Sequence, residues 1–300
     1  MSIPQRLLRH FTLLLLLGLP FGLSTAQAET LRVATLDWEP YVGPELPGQG
    51  LASRILDEAM ALNGDHVERV FLPWQRALNE AREGRYDALM PAYLSVDRSR
   101  DFYTSMPLLD SQLGFFRRRD HAIAYRPGDL DSLRPYRIGV VRGYVNQREF
   151  DNADYLTRDV VNNDWQNLEK LLRGRIDLAV VDRYTGYHLL ARNAPALREQ
   201  LEFIEPPLEI KPLYVLIPKV RNGGEALAAN LDRGLRTLRQ SGRLQQLIAD
   251  AHLETAQAMR AVADHPLAEQ VDGAPDQRRA REGADNRPAA PTLSWQASLR

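Results

Sequence analysis

Short apolar segments alternate along the chain with segments in which apolar residues recur every three or four positions. The short segments predict buried strands, and the periodic ones predict helices that pack on a sheet by one face. Clear examples are a strand at residues 31–36, a helix that runs from Leu51 to Asn63-Gly64, and a strand at residues 137–141. This alternation predicts a mainly parallel sheet covered by helices, which is an α/β fold.

The same two patterns predict the remaining elements. Further strands are expected at residues 67–72, 86–90 and 176–181, and further helices at residues 74–82, 164–173, 184–193, 225–240 and 242–252. A helix is also expected directly after Arg142-Gly143. The number and order of these elements indicate two sheets.

Two extended segments, residues 111–119 and 201–219, divide the elements into two sets. Pro206, Pro207 and Pro212 in the second segment disfavour helix and stiffen the chain. Because the chain passes twice between the sets, we expect two lobes joined by two hinge strands around a cleft. The alternative is one continuous sheet. The predicted boundaries assign residues 29–112 and 212–254 to lobe 1, and residues 113–211, with the hinge strands, to lobe 2.

The two ends of the chain differ from its body. Arg6 and Arg9 precede a short apolar stretch, and Ala26-Gln27-Ala28 fits a cleavage site, so residues 1–28 are predicted to be a secretory signal peptide. The alternative, an uncleaved anchor, is disfavoured because a membrane span needs about 20 apolar residues. Residues 255–300 lack helical periodicity and are predicted to be a disordered tail. We therefore expect a soluble, monomeric protein in the periplasm.

Composition excludes several classes of function. The chain has 38 Lys plus Arg and 39 Asp plus Glu, a formal net charge of -1, so no global positive field attracts nucleic acid. With no cysteine there is no disulfide, thiol nucleophile, Cys-ligated zinc or lipoprotein anchor. The six histidines form no H-x-x-x-H pair, and the common hydrolase, P-loop and dinucleotide motifs are missing. We expect a protein that is not an enzyme and holds no metal or cofactor.

Two tryptophans stand where they can reach a ligand. Trp38 lies in a loop after the first strand, where Pro40 and nearby glycines favour an irregular chain and a partly exposed ring. Trp74 follows Pro73 at a strand-to-helix turn beside the expected cleft. Each tryptophan has a plain structural alternative, which is interlobe packing for Trp38 and a core position for Trp74.

Charged and backbone groups at three other turns suit a small zwitterion. Arg98 follows a buried strand, and its guanidinium can form a bidentate pair with a carboxylate. Gly143 is expected to end a strand and open a helix, whose free N–H groups favour an anion. Asp182 ends the strand at residues 176–181 and can pair with an ammonium group; alternatively it caps the next helix.

These residues, in this order, resemble the family 3 periplasmic solute-binding proteins, the polar amino-acid binding components of ABC importers. The resemblance extends from about Leu31 to His252. It implies the type II periplasmic-binding-protein fold, in which two α/β lobes joined by two strands close over a ligand. Four stretches carry it: Asp37-Trp38-Glu39-Pro40-Tyr41, Ser95-Val96-Asp97-Arg98, residues 138–143 (IGVVRG) and residues 174–182 (GRIDLAVVD).

The resemblance also implies roles for the charged groups. Arg98 would clamp the α-carboxylate of the ligand, with help from backbone N–H groups near Tyr144 and Val145. Asp182 would pair with the α-ammonium group. Removing one partner of such a desolvated pair costs on the order of 2–5 kcal/mol of binding free energy.

The resemblance also implies roles for the aromatic residues, and next to one of them this chain departs from the family pattern. By the resemblance, Trp38 would pack on the ligand side chain and Trp74 would form the opposite wall. Many amino-acid binders carry a Ser- and Thr-rich stretch before the arginine, whereas this chain has Met90-Pro91-Ala92-Tyr93. A backbone N–H and a hydroxyl are thus missing. With Tyr93 the pocket is rich in aromatic rings, which also suits an apolar or a cationic ligand.

The expected function is a solute-binding protein that captures a small carboxylate-bearing ligand, an amino acid or a derivative of one. Hinge closure would present the closed form to a membrane permease. Two alternatives share the binding site. One is a sensor that signals to a membrane receptor. The other is an enzyme, because the fold also resembles periplasmic cyclohexadienyl dehydratases, in which a cleft carboxylate with a raised pKa would act as general acid.

Overall fold

The computed structural model describes residues 29–251. The predicted signal peptide at residues 1–28 and the predicted tail at residues 255–300 lie outside the described residues. No helix within residues 29–251 is both long enough and apolar enough to cross a bilayer.

The first lobe contains a parallel group of strands covered by helices. Its strands are β1 (Thr30–Thr35), β2 (His66–Phe71), β3 (Ala88–Ala92) and β4 (Phe102–Thr104), and its helices are α1 (Leu51–Ala61), α2 (Trp74–Arg82) and α3 (Val96–Asp101). Strand β1 pairs in parallel with both β2 and β3. The carboxyl ends of these strands therefore meet at one edge of the sheet.

The second lobe repeats the arrangement. Its elements are β5 (Leu109–Arg118), β6 (Arg137–Val141), α4 (Arg148–Asp151), β7 (Thr157–Val161), α5 (Asp164–Leu172), β8 (Leu178–Asp182), α6 (Arg183–Asn193), β9 (Leu201–Phe203) and β10 (Glu209–Pro218). Strand β6 pairs in parallel with β7 and β8. The chain then returns to the first lobe through α7 (Gly224–Gln240) and a helical stretch at residues 243–251.

Two long antiparallel strands, β5 and β10, form the crossings between the lobes. They pair with each other from Leu109↔Leu213 to Leu113↔Glu209. Beyond this region β10 pairs with β3 and β4, whereas β5 pairs with β8 and β9. The predicted two hinge strands are confirmed. Hydrogen bonding also continues through them, so the strand order β2-β1-β3-β10-β5-β8-β6-β7 is unbroken, as the single-sheet alternative expected.

The cores of the two lobes are separate. One cluster of buried side chains fills the first lobe, between its sheet, α1 and α7. In the second lobe Phe115 belongs to a cluster on one face of the sheet and Phe116 to a cluster on the other. This alternation follows from β5, where successive side chains point to opposite faces. Each lobe is thus a layered α/β unit.

Candidate ligand-binding cleft

A small cavity of about 20 Å³ lies where the two lobes meet. It offers room for about one water-sized group. It is bounded by the loop after β1, the end of β3, α2, α3 and the loop after β6. Its lining residues are Leu36, Trp38, Trp74, Pro91, Ala92, Tyr93, Arg98, Tyr144 and Val145. The structure thus brings all the residues expected from the sequence together around this cavity, except Asp182.

Arg98 is a buried cation that donates to backbone carbonyl oxygens. The Ser95 hydroxyl caps α3 by accepting the Arg98 N–H, which fixes the first turn of the helix. The Arg98 side chain donates to the carbonyl oxygens of Tyr93 at 2.6 Å and of Gly143 at 3.1 Å, and the residue is 3% exposed. No carboxylate in residues 29–251 lies within ion-pair distance of it. Burial lowers the pKa of Arg98 to about 10, so the guanidinium stays protonated at neutral pH.

Aromatic rings from both lobes line the same cavity as this cation. Trp74 lies 4.9 Å from the guanidinium carbon of Arg98 and contacts the ring of Tyr144 edge-on. Trp38 contacts the rings of Tyr41, Tyr93 and Tyr144. Trp38 is 6% exposed, so its ring is buried rather than partly exposed as the sequence suggested. Its Nε1 donor is buried and has no hydrogen-bond partner within the described residues.

Asp182 lies outside the cavity lining and has several protein partners. Its carboxylate caps α6 by accepting the N–H groups of Tyr184 at 2.9 Å and Thr185 at 3.0 Å. It also accepts the Gln112 N–H at 2.9 Å and the Tyr41 hydroxyl at 3.0 Å. Burial raises the pKa of Asp182 to about 6 against these bonds. The helix cap anticipated as an alternative is thus present, and pairing with an ammonium group stays a prediction.

The expectation that Gly143 opens a helix is wrong. Gly143 has a left-handed φ of +74°, and the next helix, α4, begins only at Arg148 and has four residues. The contribution of Gly143 is a carbonyl oxygen, which accepts from Trp74 Nε1 at 2.8 Å and from Arg98. The next backbone donor along the chain, the Tyr144 N–H, donates to the carbonyl oxygen of Val141. The cleft here supplies an acceptor that is already used, rather than a helix N-terminus.

Glu39 joins the lobes by an ionic contact that the sequence did not indicate. It follows β1 in lobe 1, is 3% exposed, and accepts His188 Nε2 at 2.8 Å and Arg192 Nη1 at 2.5 Å from α6 of lobe 2. The hydrogen bond from His188 lowers the pKa of Glu39, against the effect of burial. With the Tyr41–Asp182 bond, this contact joins lobe 1 to lobe 2.

Asp164 is a second buried carboxylate near the cleft. It is the first residue of α5, after the Asn163 cap, and it accepts the Tyr144 hydroxyl at 3.2 Å. Burial raises the pKa of Asp164 to about 7. An Asn-Asp pair at a predicted helix start signals a cap, so sequence reasoning had no reason to select Asp164. Only the position of Tyr144 in the fold brings the carboxylate close to the cavity.

Comparison with known proteins identifies the fold. The family model for bacterial extracellular solute-binding proteins, family 3, matches residues 31–252. A histidine kinase sensor domain with similarity to periplasmic binding proteins superposes with a TM-score of 0.66 at 20% identity, covering 74% of this chain and 95% of that one. An ancestral arginine-binding protein bound to arginine gives a TM-score of 0.64 at 16% identity, covering 74% and 97%.

Two further matches are another solved structure and a sequence relative. An amino-acid ABC transporter substrate-binding protein from Streptococcus pneumoniae bound to L-arginine gives a TM-score of 0.62 at 16% identity, covering 79% of this chain and 97% of that one. The cytosolic neutral trehalase of Kluyveromyces lactis is 28% identical over 160 residues, 46% of this chain. This chain covers 20% of the trehalase, so that match carries no conclusion about activity. The likenesses to solved structures show the fold alone.

Proposed function

This chain belongs to the bacterial extracellular solute-binding proteins of family 3, and from that premise we propose that it captures a small carboxylate-bearing ligand between its lobes. The observation that carries the proposal is Arg98, a buried guanidinium that lines the interlobe cavity, donates to two neutral carbonyl oxygens and has no carboxylate of residues 29–251 within ion-pair distance. A buried charge without a counter-charge is costly, and an anionic ligand relieves that cost. A carboxylate matches the planar fork of an arginine.

Binding in this proposal requires the lobes to separate and close again. The cavity of about 20 Å³ is too small for a ligand of even a few heavy atoms, so the ligand enters from an open form. Strands β5 and β10 are the hinge, because they are the segments that run through both lobes. A membrane permease would then recognise the closed form. The predicted signal peptide and the family description support a location outside the cytoplasmic membrane.

A sensor role is the second candidate, and it uses the same site. The likeness to a histidine kinase sensor domain supports it, because that protein places this fold in a signalling context. Both roles need capture of the ligand, so the same binding experiment tests them. Amino acids and their derivatives come first as ligands, because two of the similar structures hold arginine.

A thermal-shift screen with matched ligand pairs tests the proposal. Each pair is a carboxylate, such as an amino acid or an organic acid, and its uncharged carboxamide. A ligand at about 100 times its Kd stabilises the folded state by about 2.7 kcal/mol, which raises the Tm by roughly 5–10 °C for a chain of this size. We expect such a rise from at least one carboxylate and from no carboxamide. Equal rises within pairs, or rises from neutral sugars alone, would contradict the proposal.

A further inference from the structure

The cavity offers hydrogen-bond donors and one positive charge to a ligand. Arg98 is the one charged residue of the lining. Trp38 Nε1 is a buried donor without an acceptor in the described residues. The lining carbonyl of Tyr93 and the nearby carbonyl of Gly143 both already accept from Arg98. A polar ligand group placed here therefore meets a positive charge and a free indole donor.

The Asp182 carboxylate has no obvious capacity for a further donor. Oδ1 accepts the N–H groups of Tyr184 and Thr185, and Oδ2 accepts the Gln112 N–H. The Tyr41 hydroxyl lies 3.0 Å from both oxygens. An ionised carboxyl group accepts at about four positions. Four protein donors already fill them, and Tyr41 occupies the side toward lobe 1.

The other two carboxylates near the lobe contact do not line the cavity either. Asp164 lies behind Tyr144, whose hydroxyl donates to it at 3.2 Å and whose residue lines the cavity. Glu39 is held by His188 and Arg192. An ammonium group entering the cavity would thus bring three donors to a place lined by a cation and by no carboxylate of the described residues.

We propose that the preferred ligand is a carboxylate that lacks a free ammonium group and carries an acceptor oxygen beside the carboxylate, as a 2-oxo acid does. This inference rests on the proposed function, because Arg98 is the carboxylate contact in both. The added oxygen would accept from Trp38 Nε1. Buried side-chain acceptors without a partner in residues 29–251 belong to Gln147, Asn167 and Thr185, and none of these lines the cavity. A buried ammonium group without a carboxylate partner is strongly disfavoured.

Titration calorimetry with pairs that share a carbon skeleton tests the inference. The pairs are pyruvate and alanine, 4-methyl-2-oxopentanoate and leucine, phenylpyruvate and phenylalanine, and 2-oxoglutarate and glutamate. For the pair that binds, we expect the oxo acid to bind at least tenfold more tightly. An amino acid that binds equally well or better overturns the inference and leaves the proposed function standing. If no carboxylate of either set binds, the proposed function fails and the inference fails with it.

Tyr41→Phe tests the reason for the preference. The variant keeps the ring and removes the hydroxyl from Asp182, which frees acceptor positions for an ammonium group. We expect the amino acid of the pair to gain at least fivefold in affinity, with the oxo acid unchanged within threefold. Tyr155→Phe is the matched control, because Tyr155 is exposed and contacts Arg134 through its ring. An unchanged preference in a folded Tyr41→Phe protein contradicts the explanation.

Trp38→Phe keeps the inference testable if Tyr41→Phe does not fold. Phenylalanine preserves most of the aromatic contacts but removes the indole N–H. We expect the oxo acid to lose about threefold to tenfold in affinity, the range of one neutral hydrogen bond. The amino acid of the same skeleton, which has no oxygen at that position, should lose less. Equal losses for both ligands would assign Trp38 to packing and remove the argument for an acceptor oxygen.

Discussion

Replacing Glu39 by glutamine should open the cleft. Glu39 is 3% exposed and bonds across the lobes to His188 at 2.8 Å and Arg192 at 2.5 Å. Glutamine keeps the size of the side chain but removes its charge. Because both partners belong to α6 of lobe 2, the loss falls on the contact between the lobes rather than on the core of either one.

The exposure of His188 and Arg192 determines how much free energy the closed form loses in Glu39→Gln. The His188 side chain is 23% exposed and that of Arg192 is 48% exposed. We assign about 1.5–3 kcal/mol to the better buried charged hydrogen bond and only about 0.2–1 kcal/mol to the half-exposed pair. A glutamine oxygen still accepts one hydrogen bond, which returns about 1 kcal/mol. The net loss of about 1–3 kcal/mol lowers the closed-to-open ratio roughly 5- to 150-fold.

Small-angle X-ray scattering and titration calorimetry measure this change together. Without ligand, the radius of gyration should increase in Glu39→Gln, and saturating ligand should restore the wild-type value. The ligand affinity should fall, because the lobes that close over the ligand also lose the contacts of Glu39 with His188 and Arg192. Glu58→Gln is the matched control, since Glu58 accepts two bonds from Arg243 within lobe 1. An unchanged radius of gyration with an affinity within twofold of wild type would refute the latch.

The remaining predictions concern the turn at Gly143 and the buried Asp164. A Cβ on Gly143 would lie 2.2 Å from Gln75 Oε1, and its φ of +74° costs an L-residue about 1 kcal/mol, so Gly143→Ala should lower both the Tm and the ligand affinity. Gly64→Ala, with φ +84° and no neighbour within 4 Å, should lower the Tm alone, and equal affinities for both variants would disprove the role of the turn. The pKa of Asp164 is about 7 in the folded protein, whereas the ordinary value of 3.8 holds in the unfolded chain. Between these two pH values the folded state binds more protons than the unfolded state. The free energy of unfolding therefore falls as the pH rises from about 4 to 7. Asp164→Asn should remove up to about 2.6 kcal/mol of that fall between urea unfolding at pH 5 and at pH 8, and an identical pH dependence in the variant would contradict the buried carboxylate.

Hydrophobic pattern predicted most elements of the fold but located some of them imprecisely. The helix at Trp74–Arg82 and the strand at Arg137–Val141 have the predicted ends. Strand β3 runs to Ala92, two residues beyond the predicted end at Met90. The pairing of β3 with β10 changes register at this point, which accommodates a residue without an N–H. Strand β7 escaped prediction because it is partly exposed and lacks a clear alternation.

The residues of the candidate site could be predicted only where the local sequence around one helix or strand end identifies them. Arg98 and Trp74 stand at helix starts beside strand ends, and local pattern is enough to select them. The bond between Tyr41 and Asp182 spans 141 residues and joins the lobes, so no local pattern indicates it. The same holds for the contacts of Glu39. Sequence therefore predicted which groups lie near the cleft, whereas their partners follow from tertiary structure.

The most direct test of the account is the affinity of Arg98→Gln for the carboxylate found in the screen. Glutamine can still reach a carbonyl oxygen but carries no charge. We expect the Kd to rise by about 30-fold or more, because a desolvated charge pair contributes about 2–5 kcal/mol. A folded Arg98→Gln protein that binds the carboxylate within threefold of wild type would contradict the claim that Arg98 is the ligand's counter-charge.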